Sequence, residues 1–165
     1  MLKQIQHDGN QEMTLTIREA TLADLPAILA MLREDTIPAD RETDPGDPRY
    51  RAAFDAIAAD PNQILAAAEL NGAVIGTLQL TFIPGLSFRG AWRGLIEAVR
   101  IADGLRGKGY GEQLIDWAVA RCHERGCFMA QLTSSNERTD AHRFYERLGW
   151  SQSHKGFKLK LMEAR

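Results

Sequence analysis

The run Arg106-Gly107-Lys108-Gly109-Tyr110-Gly111 places three glycines and two cations between a β-branched strand and an amphipathic helix. A helix N-terminus carries unpaired backbone N–H groups and a partial positive charge. Glycines let the chain turn tightly and approach a ligand with no Cβ in the way. Successive N–H groups around such a turn form a concave anion site. The chemistry implied is capture of a phosphate or pyrophosphate, with Arg106 and Lys108 adding positive charge. Two common phosphate motifs do not fit. A Walker loop needs GxxxxGK followed by Ser or Thr, whereas Lys108 precedes Gly109 and position 102 is alanine. A dinucleotide fingerprint needs GxGxxG near the first strand of a βαβ unit. Here the spacing is Gly107-x-Gly109-x-Gly111, late in the chain.

Other reactive side chains are sparse. His7, His123, His142 and His154 show no ligand spacing, so no metal site is expected. Cys122 and Cys127 lack CxxC spacing and read as free thiols of a reduced compartment. A formal net charge of −2 argues against general nucleic-acid binding. No segment approaches the roughly 20 apolar residues of a membrane span, and the N-terminus has no signal-peptide block. A cytoplasmic protein with no nucleic-acid or membrane partner is expected.

The elements that must hold the turn follow from periodicity. Residues 1–12 are polar and aperiodic and read as a flexible tail before one domain over 13–165. Thr14 to Arg18 alternates as a first strand. Asp24 caps a helix with Leu25, Ile28, Leu29 and Leu32 on one face. Glu34 to Pro48 is a long acidic loop of the kind that forms lids, and a second helix carries Tyr50, Phe54 and Ile57. Gln63 to Leu70 and Ala73 to Ile83 form a hairpin about Asn71-Gly72. Trp92 to Ala102 is a strand whose Leu95, Glu97, Val99 and Ile101 share one face by period two. After the glycine turn a helix buries Leu114, Ile115, Ala118, Val119 and Cys122. Phe128 to Thr133 is a strand and Thr139 to Leu148 a helix. Trp150 to His154 and Phe157 to Leu161 read as a closing hairpin around Lys155-Gly156.

Val99-Arg100-Ile101, a short turn and the glycine run resemble the acetyl-CoA motif Q/R-x-x-G-x-G/A of the GNAT family of N-acetyltransferases. The segment Ala141-His142-Arg143-Phe144-Tyr145-Glu146-Arg147-Leu148-Gly149-Trp150 resembles that family's A-x-x-F-Y-x-x-L-G-F stretch. The resemblance implies a mixed α/β (α+β) acyl-CoA N-acyltransferase fold, with a mostly antiparallel central sheet of about seven strands flanked by four helices. It implies an acetyl-CoA-dependent enzyme with no metal. Val99, Arg100 and Ile101 would pair with the pantetheine arm through the backbone. The amides of Arg106, Gly107, Lys108, Gly109, Tyr110 and Gly111 would take the pyrophosphate. Tyr145 matches the residue that donates to the leaving thiolate, and Glu97 matches a general base acting directly or through water. The family asparagine before this helix is replaced by Arg138, so either Asn136 or Arg138 takes over that cofactor contact. The cysteines are not placed as nucleophiles, which implies direct transfer in a ternary complex.

The resemblance puts the acceptor between the first two helices and beside the splayed strands. That region includes the acidic loop from Glu34 to Asp47 and the residues Leu86, Phe88, Arg89 and Trp92. An acidic rim concentrates a cationic amine, which points to a small-molecule amine as partner. A protein lysine or N-terminus, and a non-catalytic acyl-CoA-binding module, stay open as alternatives. So does a homodimer through the C-terminal strands, which is common in the family.

Overall fold

The computed structural model describes residues 14–34 and 44–161. The expected tail over residues 1–12 and most of the acidic loop, including Asp40 and Glu42, lie outside the described residues. The order is β1 (Leu15–Glu19), a 3₁₀ turn (Leu22–Asp24), α1 (Leu25–Glu34), α2 (Pro48–Ala59), β2 (Gln63–Leu70) and β3 (Ala73–Ile83). There follow the one-turn α3 (Ser87–Gly90), β4 (Trp92–Ile101), α4 (Tyr110–Glu124), β5 (Cys127–Leu132) and α5 (Thr139–Arg147). Phe88 and Arg89 inside α3 have φ of 52° and 61°, so that segment is a left-handed turn more than a helix.

Asp24 is 7 % exposed, and the expected cap is corrected: Thr21 is the N-cap of the 3₁₀ turn and Asp24, at its third position, completes the capping box. It accepts the Thr21 N–H at 2.7 Å and pairs with Arg18 at 2.6 Å, while Arg18 also reaches Glu69 at 2.8 Å. The Arg18 hydrogen bond holds the Asp24 carboxyl at a pKa of about 2 against burial. One guanidinium thus joins β1, the start of α1 and β2. At α2, Asp47 caps the Arg49 N–H at 2.9 Å with Pro48 leading the first turn.

The sheet runs β1-β2-β3-β4-β5, antiparallel from β1 to β4 and parallel between β4 and β5. Five strands are therefore found among the described residues, where about seven were expected. The last hairpin is the difference: residues 151–161 form no strand and are exposed throughout. Alternation alone does not make a strand, because an isolated pair is marginal without a sheet to join.

The core lies between the sheet and α4. Ala66, Ala68, Leu78, Leu80, Phe82 and Ile96 meet Leu114, Ile115, Ala118 and Cys122. Each fully buried Leu or Ile among them contributes about 1.5–3 kcal/mol. Close approach is enforced at Gly94, where a Cβ would stand 2.2 Å from Cys122 Sγ. On the opposite face, α1 buries Ile28, Leu29 and Met31.

One irregularity decides which way β4 points its side chains. Thr77 and Gln79 on β3 lie opposite Arg100 and Glu97 on β4, so β4 carries one extra residue there. Ala98, with φ of 52°, is that bulge residue. Upstream of it, Gly94 and Ile96 face α4; downstream, Val99 and Ile101 pack against the same core. Glu97 pairs with Gln79 on the α1/α2 face. The expectation that Leu95, Glu97, Val99 and Ile101 share one face is corrected, because a strand's period of two does not survive an inserted residue.

Candidate active site

Beyond Ile96, paired with Leu132, β4 has no partner on its β5 side among the described residues. Residues Glu97–Ile101 therefore have no strand partner on that edge, where Arg100 Nη1 donates to the Val99 carbonyl at 2.8 Å, and the expected cofactor-contacting residues Val99, Arg100 and Ile101 lie on it. The strand then passes through Ala102, whose N–H is held by the Ile75 carbonyl at 2.8 Å, into the glycine turn. Arg106 Nε donates to the Ile101 carbonyl at 3.2 Å, which folds the turn back onto the strand end.

Gly107 and Gly109 have φ of 75° and 83°, and an ideal Cβ at either would meet nothing within 4 Å. The glycines are thus required by the backbone conformation, which side chains adopt at a cost of about 1–2 kcal/mol, and they leave open space above the turn. Gly109 is the N-cap of α4 and supplies no side chain to its first amides. The first intrahelical bond of this end runs from Gln113 to Gly109. The amides of Tyr110, Gly111 and Glu112 therefore stand at the positive end of the helix dipole without intrahelical acceptors. Arg106, Lys108 and Gly109 are exposed there. The donor set, the open space and the unpaired strand edge fit a pyrophosphate on an extended thiol-bearing arm.

Tyr145 packs on the α4 side of the sheet, edge-on to Phe144 at 5.1 Å and to Trp150 at 6.0 Å. Burial pushes its phenol above the usual tyrosine range, while the nearby charges of Arg100 and Arg138 pull it back down. The net upward shift keeps the proton on oxygen at neutral pH. Arg138 is the N-cap residue of α5 and is half-buried, whereas Asn136 is exposed in the loop before it. Arg138 and Arg100 thus share Tyr145's surroundings, and Asn136 stands further out in solvent.

On the other face, Glu97 is exposed and makes no ion pair among the described residues. Beside it lies a cavity of about 170 Å³ between α1, α2 and the sheet, lined by Leu29, Tyr50, Phe54, Thr77, Gln79 and Ala98 among others. Leu86, Phe88, Arg89 and Trp92, expected beside the acceptor, do not line it; Trp92 is at the far end of β4, opposite Cys127. Leu86 and Phe88 are instead exposed, and Phe88 stacks on Phe128 at 4.6 Å. Sequence reasoning missed Ala98 and Gln79. No clean change of phase marks the bulge in the sequence, because Leu95 and Ile96 are both apolar ahead of it. Glu97 and Tyr145 thus approach β4 from opposite faces, at the level where β4 and β5 part.

Burial raises Cys122 to a pKa of about 11, and Cys127 is also raised, so neither thiol is an activated nucleophile. Among the described residues no His, Cys, Asp or Glu group is placed to hold a metal ion, and no helix is long and apolar enough to cross a membrane.

A parted parallel strand pair, a glycine turn on the following helix and a tyrosine behind them define an acyltransferase-type site. The model of the acetyltransferase (GNAT) family matches residues 26–150. The chain is 33% identical over 141 residues to the aminoalkylphosphonate N-acetyltransferase of Salmonella typhimurium, covering 84% of this chain and 86% of that one. It is 31% identical over 145 residues to an L-methionine sulfoximine/L-methionine sulfone acetyltransferase of Pseudomonas paraeruginosa, covering 86% and 83%. A structure from Bacillus halodurans C-125, described as a transcriptional regulator, superposes with a TM-score of 0.86 at 43% identity, covering 90% of this chain and all of that one. The chain belongs to the acetyltransferase (GNAT) family, and it is an acetyltransferase, a transferase of EC class 2.3.1.

Proposed function

We propose that this acetyltransferase moves the acetyl group of acetyl-CoA directly to the primary amine of a small molecule, with both substrates bound at once. The observation that carries the reading is the Ala98 bulge, which turns Glu97 to the face of the sheet opposite Tyr145, just where β4 parts from β5. In this reading the pyrophosphate rests on the amides from Arg106 to Gly111, and the pantetheine arm pairs with the open edge at Val99, Arg100 and Ile101. Arg138 neighbours Tyr145 and takes the cofactor contact in place of asparagine, with Asn136 at the rim.

The chemistry then runs from one face to the other. Glu97, directly or through water, takes a proton from the ammonium, since only the neutral amine attacks a thioester. The neutral nitrogen adds to the acetyl carbonyl and gives up a second proton, the carbon–sulfur bond breaks, and Tyr145 donates its phenolic hydrogen to the departing thiolate, the proton from nitrogen restoring the phenol. The high thiol pKa of Cys122 favours this direct route over an acyl-enzyme. The presence of both Glu97 and Tyr145 favours catalysis over a mere acyl-CoA-binding module.

The cavity beside Ala98 is the proposed acceptor site. Its size and largely aliphatic and aromatic lining suit the organic body of a small amine. Two relatives named for amines that carry phosphonate or oxidised-sulfur groups support a small-molecule acceptor over a protein one. The acidic composition of the loop from Glu34 to Asp47 favours a cationic acceptor. We place the enzyme in the cytoplasm as one domain over 13–165 behind the tail 1–12. A homodimer is supported by Phe157, Leu159 and Leu161, which are 95%, 84% and 84% exposed and alternate with Lys158 and Lys160. The outer edge of β5, unpaired among the described residues, would receive them from a second copy. Removal of residues 157–165 would then leave a monomer by sedimentation.

The test of the donor side is calorimetric titration of acetyl-CoA into the wild type and Gly109→Trp. The wild type should bind, and the folded variant should lose at least about 100-fold in affinity, because the substitution strains a left-handed position and fills the phosphate seat. A folded wild type that does not bind acetyl-CoA overturns the proposal.

A further inference from the structure

Gln79 stands directly opposite Glu97 in the β3/β4 register and lines the cavity with Thr77 and Ala98. Its amide is anchored: Nε2 donates to Gln63 Oε1 at 2.6 Å. Gln63 in turn donates from Nε2 to Asp60 Oδ2 at 3.3 Å, and Asp60 is held by the Asn62 N–H on Oδ1 at 2.8 Å. An ionised carboxylate only accepts hydrogen bonds, so Asp60 sets the direction of the whole chain. Gln63 must turn its nitrogen to Asp60 and its oxygen to Gln79, and Thr81 Oγ1 adds a second donor to that oxygen at 3.4 Å. Gln79 must then turn its nitrogen toward Gln63 and its Oε1 away. Among the described residues that Oε1 accepts no hydrogen bond. The neighbouring Thr77 hydroxyl donates into the sheet, to the Ala66 carbonyl at 2.8 Å.

We infer that Gln79 determines acceptor specificity by accepting an N–H of the incoming amine beside Glu97, and that Gln63 is the positioning residue that locks Gln79 in its accepting orientation. This rests on the cavity's being the acceptor site. An ammonium has three N–H groups: one proton leaves to the base, and another can stay on Gln79 during attack. An alcohol has a single O–H proton, which the base must take, so Gln79 Oε1 would be left unpaired. A half-buried acceptor stripped of its donor discriminates strongly against the analogue that cannot supply one. The device therefore selects nitrogen over oxygen nucleophiles of similar shape.

The experiment measures kcat and KM for a panel of primary amines that includes L-methionine sulfone and an aminoalkylphosphonate. Wild type is compared with Gln79→Leu, Gln63→Leu, their double variant, and Phe54→Trp, which fills the cavity. Gln79→Leu should lower kcat/KM for the amine by about 10–30-fold and leave acetyl-CoA affinity within twofold. Gln63→Leu should cost about threefold to tenfold, and nothing further in the Gln79→Leu background, which a merely structural role would not produce. Gln79→Glu sets a second carboxylate across from Glu97 and should move the acid limb of the pH–rate profile upward. Should Gln79→Leu not fold, Gln79→Met replaces it. If Phe54→Trp raises amine KM while the Gln79 variants do not, this inference is overturned and the site reading stands. If no panel amine is turned over, or Phe54→Trp is also silent, the site reading fails and takes the inference with it.

Discussion

The two sides of β4 are built from different materials. The proposed donor side, from the strand edge that leaves β5 to the first turn of α4, is made largely of backbone: strand carbonyls, left-handed glycines and the free amides of a helix end. The proposed acceptor side is made of side chains drawn from α1, α2, β2, β3 and β4, more than 70 positions apart at their extremes, Leu25 and Ala98. A site made of backbone can bind the same group whatever the neighbouring side chains are. A site made of side chains can change its ligand by single substitutions while the fold stays put. The difference predicts that relatives keep the donor and vary the acceptor, as the differing amines in the names of the two curated relatives accord with.

Three measurements sharpen that contrast. The largest expected effect is at the junction of the two sides: Tyr145→Phe should lower kcat by about 100-fold. Acetyl-CoA affinity should stay within twofold by calorimetry, because in the proposed mechanism the phenolic oxygen meets the sulfur only as it leaves. Since burial raises the Tyr145 pKa, any loss of wild-type rate through its ionisation should begin at a higher pH than an exposed tyrosine would give. An equal loss in acetyl-CoA binding would move Tyr145 from the chemistry to the donor seat.

Next in size, Glu97→Gln should lower kcat/KM for the amine by about 10-fold at neutral pH. The deficit should shrink as pH rises toward the amine's own pKa, where substrate arrives already neutral. A deficit constant across pH would assign Glu97 to binding.

The smallest effect tests the frame beneath the acceptor side. Asp24 has a folded pKa of about 2 against an ordinary 3.8, so its contribution is complete above pH 4 and is lost as pH falls toward 2. Asp24→Asn should cost about 1–2 kcal/mol at pH 7 in urea denaturation, allowing for the partly exposed Arg18. Wild type and variant should converge near pH 2. Acetyl-CoA affinity should not move, because Arg18, Asp24 and Glu69 join β1, α1 and β2 only.

The same division explains what the sequence made legible. The glycine turn is contiguous, so Arg106 to Gly111 could be read as an anion seat and placed between a strand and a helix before any coordinates. The hairpin was equally plain: Gln63–Leu70 and Ala73–Ile83 have the bounds read from two strand-like runs about Asn71-Gly72. Three features were hidden. The bulge at Ala98 is a change of phase, and reading β4 with a single period carried Glu97 to the wrong face. The cavity depends on which helices cover which strands, so neither Gln79 nor Phe54 carries a local mark. The segment from Phe157 to Leu161 has the alternation of a strand but no strand beside it among the described residues, and periodicity says nothing about where a partner comes from.

The bulge also gives β4 something like a reading frame. Substituting residues along the strand changes what each face displays. Removing Ala98, or inserting a residue beside it, would instead exchange the two displays for every position downstream, sending Val99 and Ile101 toward the cavity and Arg100 into the core. Descendants of this sequence are free to edit the letters of β4, but not their number.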